Sequence, residues 1–349
     1  RGVERGLGLE CASAAELALA LELCPPERVV FDSPAKTRRE LERALEAGVI
    51  LHIDSLQELE RVRELDPDPS ATVGIRINPA VGMGGIADTS TAVAGSKFGI
   101  DLHAHRAVIV DALIEHPWLR GLHVHVGSQG CELDQLVAGA RAVHELAEDV
   151  SARGKTLDWL DLGGGLPVAY RESDTVRTFA ELAQALEHAL PGLWSGPSRL
   201  MTEFGRSVFA PVGWAVSRVE STKFSGGRRI AVIHLGADFL LRPAYRPEQW
   251  SHRLRVFDQE GGEKTGSREE WDIAGPLCFS GDLMARARML PPIAPGDLIC
   301  IEDAGAYSLS MWSRYNSRRS PAVYGIEAAG RLQLLRAAEQ IEQVLDFWR

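Results

Sequence analysis

The chain has 349 residues, 45% hydrophobic and 25% charged, and a formal net charge of −10 at pH 7. This is a globular balance, the length suits two domains, and a core of that size needs no disulfide staples. The negative charge, with no long basic run, argues against a nucleic-acid surface; no stretch has the apolar length of a membrane span; and five scattered cysteines without zinc-like spacing fit a reducing, cytoplasmic setting and no metal site.

In chain order, short apolar runs alternate with helical periodicity. Strands are predicted over 29–31, 49–53, 72–78, 119–126, 157–162 and 199–203, and helices over 37–47, 55–65, 102–115, 133–153 and 176–189. Repeated βα units imply a parallel sheet with helical cover, and the count approaches a (β/α)8 TIM-type barrel if about one unit lies upstream of Arg1. From residue 213 the pattern changes to successive strands, over 215–223, 229–235, 253–258, 271–275, 297–302, 322–326 and 331–336, with a closing helix over 337–347. The expected architecture is therefore a barrel over 1–212 that lacks its N-terminal part, followed by a mostly antiparallel, barrel-like β domain over 213–349. The glycine-rich stretch 81–94 reads as a mobile loop near the barrel mouth.

Three motifs fall where barrel strands end, the face on which barrel enzymes build active sites. His125-Val126-Gly127-Ser128 follows the strand over 119–126; the imidazole can stack on a ligand or shuttle a proton, and the Ser128 hydroxyl can reach a phosphate oxygen. His123, two residues earlier, reads as packing or support. Gly163-Gly164-Gly165 exposes backbone N–H groups with no Cβ in the way and can cradle a phosphate, or simply make a tight turn. Glu203-Phe204-Gly205-Arg206 offers a carboxylate for a ring nitrogen and an Arg fork for a phosphate or carboxylate; alone, it would read as a surface ion pair. In the second half, the Cys278 thiol lies on a glycine-bounded turn, where it can donate a proton or be an inert buried thiol. Tyr307 can reach a phosphate or substrate, or pack.

Taken together, and with Arg76-Ile77-Asn78-Pro79, Ser96-Lys97-Phe98-Gly99, Leu241-Arg242-Pro243-Ala244 and Tyr315-Asn316-Ser317 in matching order, the chain resembles the pyridoxal-phosphate decarboxylases of the alanine-racemase-like fold type, most closely diaminopimelate decarboxylase. The resemblance implies pyridoxal 5′-phosphate as cofactor. Gly163 to Gly165, Ser128, Gly205 and Arg206 would surround its phosphate end with Tyr307, Glu203 would pair with the ring nitrogen, and His125 would stack on the ring. Arg206, Arg242, Tyr245, Phe279 and Tyr307 would receive the amino-acid substrate. Cys278 would come from a partner subunit to return a proton, which implies a homodimer with shared sites.

Two departures bear on function. No lysine occupies the position of the family's Schiff-base lysine; the expected place for it is upstream of Arg1, and the contrasting reading is a non-catalytic regulatory homologue that has lost it. Phe279 stands where diaminopimelate decarboxylases carry an acidic residue that reads the distal ammonium, Phe204 replaces a proline, and the segment before Tyr245 is one residue short. An altered substrate pocket is expected, with relatives that act on amino-acid moieties in siderophore or antibiotic pathways as the alternative.

Overall fold

The computed structural model describes residues 1–349. Two compact units emerge: Arg1–Pro167 with Val176–Gly205, and Val168–Thr175 with Arg206–Arg349.

The first unit is a run of βα repeats. Its strands are β1 (Leu9–Cys11), β2 (Val29–Asp32), β3 (Ile50–Ile53), β4 (Val73–Asn78), β5 (Ile100–Asp101), β6 (Leu119–His123), β7 (Trp159–Asp161) and β8 (Arg199–Met201). The intervening helices are α1 (Ala14–Leu23), α2 (Arg38–Ala47), α3 (Leu56–Glu64), α4 (Leu102–Glu115), α5 (Leu133–Ala152) and α6 (Phe179–Ala189). Seven strands form a parallel wall in the order β1-β2-β3-β4-β6-β7-β8, and β5 adds to the end of β4. Helix starts are written locally: Ser13, Thr37, Ser55 and Thr178 each accept the backbone N–H of a glutamate three residues on, satisfying a donor that the first turn leaves open.

Strand register decides what fills the wall's concave face. Asp32, His52, Gly74, Gly121 and Trp159 are laterally aligned across five strands, and Arg76, His123 and Asp161 form the row above. The two glycines in the lower row make room for the Trp159 indole: a Cβ on Gly74 or Gly121 would lie 2.1 or 2.2 Å from it. The His52 ring rests against that indole, and the His123 ring stacks on His52 with centroids 4.3 Å apart.

The second unit holds β9 (Ala215–Ser225), β10 (Arg228–Ile233), β11 (Leu254–Phe257), β12 (Glu269–Ala274), β13 (Leu283–Leu290) and β14 (Leu298–Ile301) in one sheet, ordered β11-β14-β9-β10-β12-β13. A separate hairpin pairs β15 (Val323–Ile326) with β16 (Leu332–Arg336). Short helices α7 (Arg206–Phe209) and α8 (Leu241–Tyr245) precede the terminal α9 (Ile341–Trp348). Each unit has its own apolar core, the second built around Val219, Ile233, Trp271, Ile273 and Ile299.

The sheet of the second unit is mostly antiparallel, as expected, with one parallel pair, β10 with β12. Two element bounds need correction. The closing helix begins at Ile341 rather than 337, where Gln340 forms a capping box with Gln343. Strand β6 stops at His123, because Val126 O accepts from Thr91 and Ala92 instead of extending the ladder. The glycine-rich loop lies against the segment after β6: Gly85 N donates to Gly130 O, Ser128 N to Thr89 O, and the Thr89 hydroxyl to Gln129 O. All five cysteines are free thiols, and no helix is long and apolar enough to cross a membrane.

Candidate active site

At the mouth of the first unit, the three strand-end motifs converge. Glu203 lies two residues beyond β8 and is 9% exposed. Its Oε2 lies 3.2 Å from His125 Nδ1 and 3.2 Å from His123 Nε2. Burial opposes ionisation there, but the neighbouring His123 charge and the contacts from both imidazoles hold the Glu203 carboxyl well below the usual range. Its second oxygen, Oε1, is buried without a hydrogen-bond partner.

The glycine turn packs against the same residues. Asp161, at the end of β7, accepts the Gly163 N–H through Oδ1 at 2.9 Å and starts the turn. Gly163 adopts φ +67°, and a Cβ there would lie 2.3 Å from Val124 O. A Cβ on Gly164 would lie 2.5 Å from Glu203 O, and one on Gly165 would meet Leu136 and Gly127 O. No side chain fits at any of the three, so the backbone is bare by necessity. Ser128 directly follows Gly127, which places its turn beside Gly165.

Below Glu203 runs a buried charge chain that the sequence did not single out. His123 Nδ1 is 3.9 Å from Asp32 Oδ2; the same oxygen accepts Arg76 Nη1 at 2.5 Å; and Arg76 Nε is 3.8 Å from Asp54 Oδ1. Burial alone would depress His123, yet the charges of Glu203 and Asp32 push it up to about 9. Burial and the charge on His123 push the stacked His52 down to about 3, so it stays neutral. The signal that could have revealed Asp32 and His52 is a polar residue within each of two short strands that are otherwise apolar and almost wholly buried.

In the second unit, Arg206, Arg242 and Tyr307 come together. Arg206 Nη1 donates to the Tyr170 hydroxyl at 2.7 Å, and its guanidinium lies 4.1 Å from the Tyr307 ring centroid and 5.1 Å from that of Trp250. Arg242 lies against the same two rings, at 4.4 and 4.5 Å. Its buried Nη1 has no hydrogen-bond partner, and burial together with the Arg206 charge brings its pKa down to about 10. Tyr307 sits at φ +57°, a left-handed conformation that costs a bulky residue about 1–3 kcal/mol. Backbone contact holds it there: Gly305 N donates to Ala210 O and Ala304 N to Gly213 O, and a Cβ on Gly305 would lie 1.9 Å from Phe209 O. Neither Tyr170 nor Trp250 was anticipated.

Cys278 is exposed on the turn after β12. The buried Asp282 shapes that turn by accepting Ala237 N–H and Leu277 N–H, each at 2.7 Å, and Asn316 Oδ1 accepts Cys278 N–H at 2.9 Å. Phe279 stacks on Tyr245 with centroids 5.2 Å apart and planes at 15°, and its other neighbour is Tyr315 at 6.3 Å. The site residues thus fall into a barrel group (His125, Ser128, Gly163 to Gly165, Glu203), an arginine–aromatic group (Arg206, Arg242, Tyr307) and an aromatic turn (Tyr245, Cys278, Phe279).

A phosphorylated pyridine fits the ring end of the barrel group: Glu203 Oε1 is buried and lacks a donor, as a carboxylate awaiting a ring N–H would. Of the lysines, Lys36 is buried in an ion pair with Glu58 at 3.1 Å, and Lys97 lies over the Phe98 ring.

Residues 3–210 match the family described as pyridoxal-dependent decarboxylase, pyridoxal binding domain. The chain is 29% identical over 356 residues to a diaminopimelate decarboxylase from Helicobacter pylori, covering 99% of this chain and 83% of that one. It is 34% identical over 321 residues to one from Archaeoglobus fulgidus, covering 90% and 75%. Among solved structures, diaminopimelate decarboxylase from Helicobacter pylori complexed with L-lysine superposes with a TM-score of 0.87 at 28% identity, covering 99% of this chain and 85% of that one.

Proposed function

Since this chain belongs to the pyridoxal-dependent decarboxylases, enzymes that release CO₂ from amino acids with pyridoxal 5′-phosphate, we propose that its own substrate is an α-amino acid whose far end carries no ammonium group. The observation that carries this reading is the Phe279–Tyr245 stack. A phenyl ring cannot accept a hydrogen bond, so an ammonium desolvated beside Phe279 would lose its partner, a cost that discriminates strongly between substrates.

The bound cofactor supplies the electron sink for the bond to the departing carboxylate. Glu203 holds a proton at the ring nitrogen through Oε1, and His125 covers the ring face while keeping Nδ1 on Glu203. The turn at Gly163 to Gly165, with Ser128 and Gly205, would receive the phosphate, the Gly163 N–H itself being held by Asp161. Arg242 and Tyr245, with Arg206, Phe279 and Tyr307, receive the substrate's far end, where two neighbouring guanidiniums favour an anionic group. Cys278 Sγ–H returns the proton that replaces the carboxylate at Cα. A second copy of the chain delivers that thiol, which makes the working form a homodimer.

The test is CO₂ release by cofactor-loaded protein from meso-diaminopimelate, from amino acids of matching length without the distal amine, and from carrier-linked amino acids. The amine-free set should be preferred; meso-diaminopimelate as the best substrate would overturn the proposal.

A further inference from the structure

We propose that His123 is a positioning residue for the cofactor: seated as an imidazolium between Asp32 and Glu203, it keeps Glu203 ionised and directs Oε1 toward the ring nitrogen. This rests on the reading that Glu203 meets that nitrogen.

The argument is one of charge inventory. Glu203 shares the barrel mouth with Asp161 from β7 and Asp32 from β2, whose ionisation its charge opposes. Asp161 is 1% exposed, and burial with the Glu203 charge raises its carboxyl to about 7. Carboxyls crowded in this way share protons, and a buried one beside others is normally the one neutralised. Something must hold the charge on Glu203.

Arg76 from β4 is committed to Asp32 and Asp54. His52 from β3 is neutral and touches His123 only by its ring face. Trp159 below brings no charge. His125 reaches Oε2 but is 24% exposed and reads as the residue that covers the cofactor. His123 is fully buried, and its two nitrogens face two carboxylates, Nε2 toward Glu203 and Nδ1 toward Asp32. Asp54, Arg76, Asp32, His123 and Glu203 therefore alternate in sign along one line through the barrel. Both imidazoles meet Oε2, each at 3.2 Å, which leaves Oε1 as the oxygen without a donor.

The test needs no catalysis. In full-length protein labelled with ¹⁵N-histidine, the His123 ring, assigned by its absence in His123→Gln, should remain an imidazolium to about pH 9. Glu203→Gln and Asp32→Asn should each lower its titration, the former by about two pH units. The same proteins are then loaded with ¹⁵N-labelled 4′-deoxypyridoxine 5′-phosphate, which needs no Schiff base. Its ring nitrogen should be protonated at neutral pH in the parent and lose proton occupancy in His123→Gln. A His123 that titrates near an ordinary histidine, or a ring nitrogen indifferent to His123→Gln, overturns the proposal. If His123 titrates high but Glu203→Gln leaves the ring nitrogen unchanged, it is the assignment of Glu203 to that nitrogen that fails. His123's own titration in the parent protein decides the first point even if a variant does not fold.

Discussion

Two charge clusters, one in each unit, handle buried charge in opposite ways. In the barrel, acids and bases alternate, so each buried charge has a neighbour of opposite sign; Arg76 with Asp32 and His123 with Glu203 are such pairs. In the β unit, two guanidiniums lie side by side against the faces of Trp250 and Tyr307, and Arg242 is left with a buried donor unmatched. The first arrangement is self-contained and suits a fixed electrostatic setting. The second leaves the Arg242 Nη1 donor unmatched and suits a ligand that arrives and leaves. Aromatic faces attract the cations without neutralising them, which keeps the positive field available.

This contrast can be broken most severely at its centre. Glu203→Gln removes the carboxylate that His123 and His125 share, and kcat/KM for CO₂ release should fall by about a hundred- to a thousand-fold. An unchanged value would mean that the barrel charges do not serve the reaction. Arg242→Met keeps the stem against Trp250 and removes the unmatched donor; KM should rise by about ten- to a hundred-fold while cofactor affinity, read by equilibrium dialysis, stays put. A loss of cofactor instead would move Arg242 to the barrel's side of the comparison. Phe279→Glu restores an acceptor at the aromatic turn and should shift relative kcat/KM toward meso-diaminopimelate by at least about tenfold, measured by competition of the two substrate types.

The mildest test varies pH. His123 has its pKa raised from 6.5 to about 9 in the folded chain, so its stabilising contribution is complete below pH 6.5 and disappears as pH climbs through 9. Asp161, raised from 3.8 to about 7, favours the fold while protonated, and that contribution is lost earlier, as pH rises from 3.8 through 7. Asp32 and Glu203, held low, keep theirs until strong acid. Arg242 changes only near pH 10. Between pH 7 and 9, hydrogen exchange should therefore speed up in the barrel strands while the β unit's sheet holds, with a fall of several degrees in the first thermal transition. Equal loosening of both units would dissolve the distinction.

Much of this was legible in the sequence, because strand-end motifs and helix caps are local. The glycines at 163–165, Glu203 and His125 announced themselves by type and position, and the structure brings them together. The charge chain was not legible, because it depends on register: Asp32, His52 and Arg76 are far apart along the chain and meet only when β2, β3 and β4 align. The parallel pairing of β10 with β12 escaped for the same reason, since it joins strands that are not consecutive. Helix α1 was missed because Ala14–Leu23 spreads leucine and alanine round much of its surface, which blurs the 3.6-residue period. Strand β13 was missed because its Ala-Arg alternation carries few β-branched residues.

The close approach of Gly213 and Gly305 has an effect on how this enzyme could diversify. The distance from the Tyr307 ring to the guanidinium of Arg206 is set where main chain abuts main chain, at positions that have no side chain to vary. Saturation mutagenesis should thus find two silent-looking glycines, remote from any reacting atom, that tolerate almost nothing, while the aromatic turn at Phe279 accepts exchange. New substrate preferences would be drawn from the turn, with the cation-bearing frame carried along unaltered.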